Sequence, residues 1–355
     1  MQSDIVRNRL LAILAGLAVI AAVKIGYPVL MPIVVSFCII ASAWPIKRWT
    51  SGIGSPALSY TLTIVILVAG VTLFFGVISY ALTRVAQNFV EKQDDFQALF
   101  DQYGEWAQAN GLPTLSGDIG GFDRVASLVR SILGDAYTVL SYMGVVAVIV
   151  VLGFPEVPKL ARKFRREFET EERYTISQTV GEMADAIRSY LAMTMVTSFI
   201  TGLVSFAWAF ALGLDMALIW GILNFLLNFV PVIGNVIGIL PPTLYAFIQF
   251  GGWVMPLVVF AGFVVLQLTI SNFIYPMLQA RGVSLPPVTI ILSLLFWGWI
   301  WGVAGGLLAV PLTAMLVIVC SKFEATRKFA VFVGGDENFR KTGSDETKAQ
   351  GAEGR

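Results

Sequence analysis

An all-α polytopic membrane protein is the fold class this sequence predicts. It should have about five full transmembrane helices, one further span and two broken or re-entrant helical segments, eight hydrophobic segments in all, with a small helical extracytoplasmic insert. Two observations carry that expectation. Of 355 residues, 57% are hydrophobic and only 13% charged, too apolar for a soluble protein of this length. The apolar runs are also continuous and close to twenty residues or longer, as a helix needs to cross about 30 Å of hydrocarbon, whereas barrel strands would alternate over about ten residues.

Composition narrows the function classes too. Lys and Arg number 24 against 23 Asp and Glu, and a net charge of +1 gives no field to recruit nucleic acid. The absence of histidine removes the usual proton shuttle, the commonest metal ligand and His-assisted serine or cysteine chemistry. Cys38 and Cys320 sit in apolar runs and read as small buried hydrophobes rather than a disulfide or metal pair. No glycine loop with a phosphate-binding lysine occurs, so ATP hydrolysis and a bound cofactor are not expected. The chain reads as a non-enzyme whose partners are membrane lipid and a small-molecule or cation substrate.

The elements follow in chain order. Arg7 and Arg9 precede LLAILAGLAVIAAV, and a second run, 28–44, ends just before Lys47 and Arg48. Basic residues at both outer ends make this a retained hairpin with both ends cytoplasmic rather than a cleaved signal peptide. With a span at 58–83 it forms the segment 1–83. Residues 84–133 turn polar, with seven acidic side chains against four basic ones, which suits the outer side of the membrane. Glycines and Pro113 divide that insert into a helix, a loop and a helix.

A fourth span closes the segment 134–154 at GFPEVPK. Lys159, Arg162, Lys163, Arg165 and Arg166 follow it, the strongest cytoplasmic marker in the chain and a lipid-headgroup signal. The basic loop and a polar helix occupy 155–189, the transport core is expected at 190–321, and 322–355 reads as a cytoplasmic, largely disordered tail.

From Met216 to Ser321 the only formal charge is Arg281. The stretch NFLLNFVPVIGNVIGILPP, residues 224–242, interrupts that apolar region with asparagine, glycine and proline. A backbone group without a partner costs several kcal/mol in hydrocarbon, so such breaks survive only where protein or a water-filled cavity satisfies them. Length makes the same point. An unbroken helix from 216 to 250 would run about 52 Å, well beyond the hydrocarbon core. Two half-helices are expected there, as a re-entrant hairpin or a broken span, and the same arithmetic applies to 288–320, with WGWIWGVAGG at its centre. An ordinary span at 253–276 lies between them.

Within this region Asn224 and Asn228 share a helix face and Asn235 follows the proline, forming an interior polar row that either cross-links helices or meets a solute. Gln267 and Ser271 repeat the four-residue spacing, with Asn272 beside them. Pro231, Gly234, Gly238, Pro241 and Pro242 shape the break. Arg281 either anchors to headgroups, pairs with an acid such as Asp185 or Asp215, or gates the path. Glu182, Asp185 and Arg188 recur at three-residue spacing on one helix face, a salt-bridged surface or, with Asp215, a gate or coupling site.

The segments NFLLNFVPVIGNVIGILPP, QLTISNFIYPMLQARGVSLPP and WGVAGGLLAVPLTAML, taken in that order with the polar insert and basic loop before them, resemble the autoinducer-2 exporter family of bacterial permeases over almost the whole chain. The resemblance implies an inner-membrane homo-oligomer, with a pentamer as the arrangement it suggests. The implied cargo is autoinducer-2 or, as in other members, sodium or lithium exchanged for protons. One departure is Thr269, where family members often carry an acid after the glutamine, so a role for that carboxylate does not transfer.

Positive charge on the inside favours two hairpins, which would place Arg281 in the cytoplasm and the 84–133 insert outside. Single cysteines at 281 and 100, in a background lacking Cys38 and Cys320, should then label with an impermeant reagent from opposite sides; labelling from one side supports two crossing spans instead.

Overall fold

The computed structural model describes residues 2–52, 55–92, 142–167, 170–230, 233–275, 277 and 285–334, with isolated positions 94, 95, 97, 98, 104, 109, 127 and 134. Most of the 84–133 insert, Pro231, the Arg281 loop and the tail after Gly334 lie outside the described residues. Among the described residues every element is helical. They are α1 (Gln2–Ile25), α2 (Tyr27–Ser42), α3 (Trp44–Thr50), α4 (Pro56–Glu91), α5 (Met143–Glu167), α6 (Thr170–Ala211), α7 (Ala217–Leu227), α8 (Ile233–Ile237), α9 (Leu240–Phe250), α10 (Val254–Thr269, continued by a π-turn at Ile270–Ile274), α11 (Pro287–Ser321) and α12 (Glu324–Gly334). Five stretches are long and apolar enough to cross a membrane: Ala57–Val85, Met143–Lys163, Ile176–Ala211, Val254–Ile274 and Pro287–Ser321. The apolar part of α1 and α2 passes the same test as a pair bent by 83° at Gly26. The chain is a multi-pass membrane protein.

Two compact units divide the chain. The first comprises residues 1–68, 141–187 and 286–333. Here α2 packs along α5 around Ala43, Leu67, Val146, Val150 and Phe154, and both cysteines are free, Cys38 being buried and Cys320 half-buried. Polar side chains inside this packing are paired, as the apolar surroundings require. Thr50 Oγ1 lies 3.1 Å from Ser59 Oγ and 2.8 Å from Thr63 Oγ1, joining α3 to α4.

The break expected in WGWIWGVAGG falls at Trp301 (φ −122°, ψ 17°) and Gly302 (φ 58°, ψ −140°), the second in a region that only glycine enters without strain. The chain reverses there. Thr313 Oγ1 donates to Ser293 Oγ at 2.9 Å and accepts the Trp297 indole N–H at 3.1 Å, although residues 293 and 313 of a straight helix would be about 30 Å apart. Residues 287–300 and 303–321 are therefore the arms of a helical hairpin, not one long span. Trp301 at its tip donates its indole N–H to the carbonyl of Val23 at 3.0 Å, capping one of the acceptors that the end of α1 leaves without a helical partner.

The second unit comprises residues 69–140, 188–285 and 334–355. Its α6 and α7 touch backbone to backbone. A Cβ placed on Gly202 would lie 2.9 Å from the Gly221 carbonyl, and one on Gly221 2.8 Å from the Gly202 carbonyl, the close crossing that small residues permit between membrane helices. Trp220, Leu223, Tyr245, Val259 and Phe263 form the core. The Trp220 and Tyr245 rings stand 5.5 Å apart, although a straight helix would separate them by about 37 Å, so α7, α8 and α9 are also a hairpin. Gln249 ties its open end: Nε2 donates to Gly213 O at 2.8 Å, and Oε1 accepts the Asp215 amide at 2.8 Å.

Gly221→Val should therefore destabilise the second unit by about 2 kcal/mol through overpacking, read by SDS titration of the purified protein, whereas the same substitution at Gly70, where an added Cβ meets nothing within 4 Å, should leave the midpoint near that of the wild type.

Candidate functional site

The arms α7 and α9, at about 16 Å each, are half the thickness of a hydrocarbon core, so the connection between them carries its polar groups inside apolar surroundings. Asn224, 0% exposed, is the centre. Its Nδ2 donates to Trp220 O at 3.0 Å and across the hairpin to Gly238 O at 3.2 Å. Its Oδ1 accepts Gln267 Nε2 of α10 at 3.1 Å. The amide thus uses both hydrogens and its oxygen, joining both arms and a third helix. Gly234 and Gly238 make room for this. A Cβ at Gly234 would collide with the Leu227 carbonyl, and one at Gly238 with the Asn224 side-chain oxygen.

Two further amides surround this centre. Asn228, half-buried after the last turn of α7, donates to Ser198 Oγ at 3.0 Å and Thr197 Oγ1 at 3.3 Å on α6. Asn235 on α8 donates to Ser271 Oγ at 2.9 Å, and Ser271 belongs to the π-turn, a rare widening of the helix that often marks functional sites. Gln267 Oε1 and Asn235 Oδ1 are buried and lack a hydrogen-bond partner among the described residues. Each such acceptor costs about 1–3 kcal/mol. Both are neutral oxygens, and they belong to the residues that link the hairpin to α10 and its π-turn. The arrangement can accept hydrogen bonds from a polar solute or supply oxygens to a cation.

The structure thus brings together Asn224, Asn228, Asn235, Gln267 and Ser271, with Gly234 and Gly238. Pro242 is buried and Pro241 half-buried at the start of α9, where a missing amide hydrogen removes no helical bond. Asn272 stays apart: it is exposed and returns its amide to Leu268 O of its own helix at 2.8 Å. Thr269 likewise bonds Val265 O at 2.7 Å. Asp215 is exposed, and its backbone, not its carboxylate, forms the bonds to Gln249 and to the Trp220 indole (2.9 Å). Glu182 accepts Lys322 Nζ at 2.9 Å in the first unit, while Asp185 is exposed and Arg188 half-buried. Pro231 and Arg281 lie outside the described residues.

The sequence reading missed the hydroxyl row on α6. Thr194, Thr197, Ser198, Thr201 and Ser205 are all buried, and they recur at three- and four-residue spacing within an apolar run, the available signal. Asn228 is hydrogen-bonded to this row. Gln249 was missed as well, since nothing local distinguishes a glutamine that clamps a turn far away in sequence.

Known proteins resemble the chain throughout. A sequence model described as AI-2E family transporter matches residues 10–325. A provisionally named transport protein of Haemophilus influenzae is 27% identical over 357 residues, covering 96% of this chain and all of that protein. The AI-2 transport protein TqsA of Escherichia coli K12 is 25% identical over 281 residues, 78% of this chain and 80% of TqsA. YrrI, a provisionally named transport protein of Bacillus subtilis, is 27% identical over 83% of this chain and 86% of its own length.

Asn224→Leu would strand the Gly238 carbonyl and a Gln267 N–H, and should lower stability by about 2–4 kcal/mol. Gly238→Ala should approach that loss by displacing the Asn224 amide. Asn272→Ala, outside the cluster, should stay within about 0.5 kcal/mol in the same SDS titration.

Proposed function

We propose, from the premise that this chain belongs to the AI-2E transporter family, that it exports a small neutral polar solute such as autoinducer-2 across the bacterial inner membrane by secondary transport. The observation that supports this most is the buried amide cluster. Asn224, Asn228, Asn235 and Gln267 carry amides without formal charge, and two of their acceptors, Asn235 Oδ1 and Gln267 Oε1, have no partner among the described residues. A polyol-like solute offers hydroxyl donors to those oxygens and acceptors to the hydroxyl row of α6. Short helical arms meeting at a polar turn are how transporters with discontinuous helices place a site away from both surfaces. The stretch 216–275 contains no charged residue, which favours a neutral cargo over a charged one. TqsA, described as an AI-2 transport protein, supports the same cargo.

In this reading the termini lie in the cytoplasm, the basic end of α5 faces the same side, and the protein works as a homo-oligomer, as the family resemblance implies. A second reading rests on the same two acceptors. Amide and hydroxyl oxygens also suit sodium, which would make the chain a sodium or lithium/proton antiporter, with a carboxylate outside the cluster, such as Glu182 or Asp185, carrying the proton. A non-transporting structural or assembly protein is the rival of another class. In that case the amides serve packing alone.

Proteoliposomes decide among these. Flux of autoinducer-2 should be seen with wild-type protein and fall at least tenfold with Asn228→Ala, a half-buried position whose loss leaves the Asn224 bonds in place. Gradient-driven sodium/proton exchange without autoinducer-2 flux supports the antiporter reading. Full flux from a folded Asn228→Ala variant removes the amide cluster from the pathway, and no flux of either cargo favours the structural reading.

A further inference from the structure

The α12 helix, Glu324–Gly334, lies within the segment the sequence reads as tail, and its surface is sorted. Ala330 and Gly334 are buried, and the Val333 carbonyl accepts Thr289 Oγ1 at 2.9 Å, fixing the helix to the start of α11. Phe329 and Phe332, one turn apart, turn the other way and are 49% and 88% exposed. Phe323, just before the helix, is 62% exposed. Lys328 borders this aromatic face, Arg327 lies farther round the helix, and both are exposed. The helix follows within a few residues of the apolar arm of α11, which ends at Ser321. It therefore begins at the edge of the hydrocarbon rather than out in solvent.

Large exposed aromatic rings on a short helix beside a membrane segment, with basic residues on its remaining surface, are the pattern of a helix lying in the interface plane. We propose that α12 is an interfacial anchor. It seats Phe329 and Phe332 in the acyl boundary of the leaflet that surrounds α11, and Arg327 and Lys328 take anionic phospholipid headgroups. The charge balance favours an anionic leaflet: three basic residues, Lys322, Arg327 and Lys328, stand against Glu324 alone in 322–334. Lys322 already pairs with Glu182, and among the described residues Arg327 and Lys328 remain for the lipid.

The test places a spin label on the full chain at Phe329→Cys, Phe332→Cys or Lys328→Cys, each with Cys38→Ala and Cys320→Ala, in nanodiscs of phosphatidylcholine with or without phosphatidylglycerol. At 329 and 332 the ratio of accessibility to oxygen over a water-soluble nickel chelate should exceed that at 328 several-fold. It should rise further with phosphatidylglycerol, and Arg327→Gln with Lys328→Gln should abolish that rise. High nickel accessibility at 332 would overturn the anchor by placing the ring in water. Protection from both reagents would overturn it in favour of a protein partner, and insensitivity to phosphatidylglycerol would overturn the headgroup contact. Hydroxyl-radical footprinting of the unmodified chain in the same nanodiscs gives a mutation-free check: Phe329 and Phe332 should stay unoxidised, and their oxidation counts against the anchor.

Discussion

The second unit depends on one buried amide that makes three hydrogen bonds. Asn224 donates twice and accepts once, and in apolar surroundings each of those bonds would be costly to leave unmade. The amide can make all three only if α7 and α9 fold against each other and α10 presents Gln267 at the right height. The glycines at 234 and 238 follow from that demand, because any Cβ there would occupy space the turn and the amide already use. The contact between Gly202 and Gly221 then brings the hydroxyl row of α6 within reach of Asn228.

The two hairpins solve a shared problem with different chemistry. Each reverses the chain within an apolar region and must satisfy the backbone and side-chain groups that reversal exposes. The α7–α9 hairpin uses an asparagine across the arms and a glutamine clamp at its open end. The α11 hairpin uses a hydroxyl pair, Ser293 and Thr313, with two tryptophan indoles as donors. The difference bears on function. The polar cluster of the first hairpin holds two neutral acceptors without a partner among the described residues, whereas the Trp297 and Trp301 indoles of the second are bound within its own unit.

Much of this was legible in the sequence because membrane physics constrains composition and length strongly. The overlong apolar runs at 216–250 and 288–320 required breaks, and the asparagine, glycine and tryptophan clusters located them. The four-residue spacing also put Gln267 and Ser271 on one face, and both joined the cluster. Asn272, adjacent in sequence, did not, since its amide turned back to its own helix. The α6 hydroxyls were overlooked because threonine and serine are common in apolar helices and declare a role only when a partner such as Asn228 is seen against them. The α12 helix reads as tail in the sequence because its charge and the glycines after it outweigh a short apolar face.

Composition, motifs and segment lengths alone establish that the chain is a helical membrane protein, that it resembles a permease family, and that two of its segments could not be straight spans. Those conclusions rest on local composition and on the fixed rise of a helix, which need no knowledge of what packs where. That both segments fold back as hairpins, that Asn224 is held by three bonds, and that Asp215 takes part through its backbone emerge only from the packed chain. A hydrogen bond between residues 14, 20 or 43 positions apart depends on how the chain returns to itself, and no local pattern encodes that path.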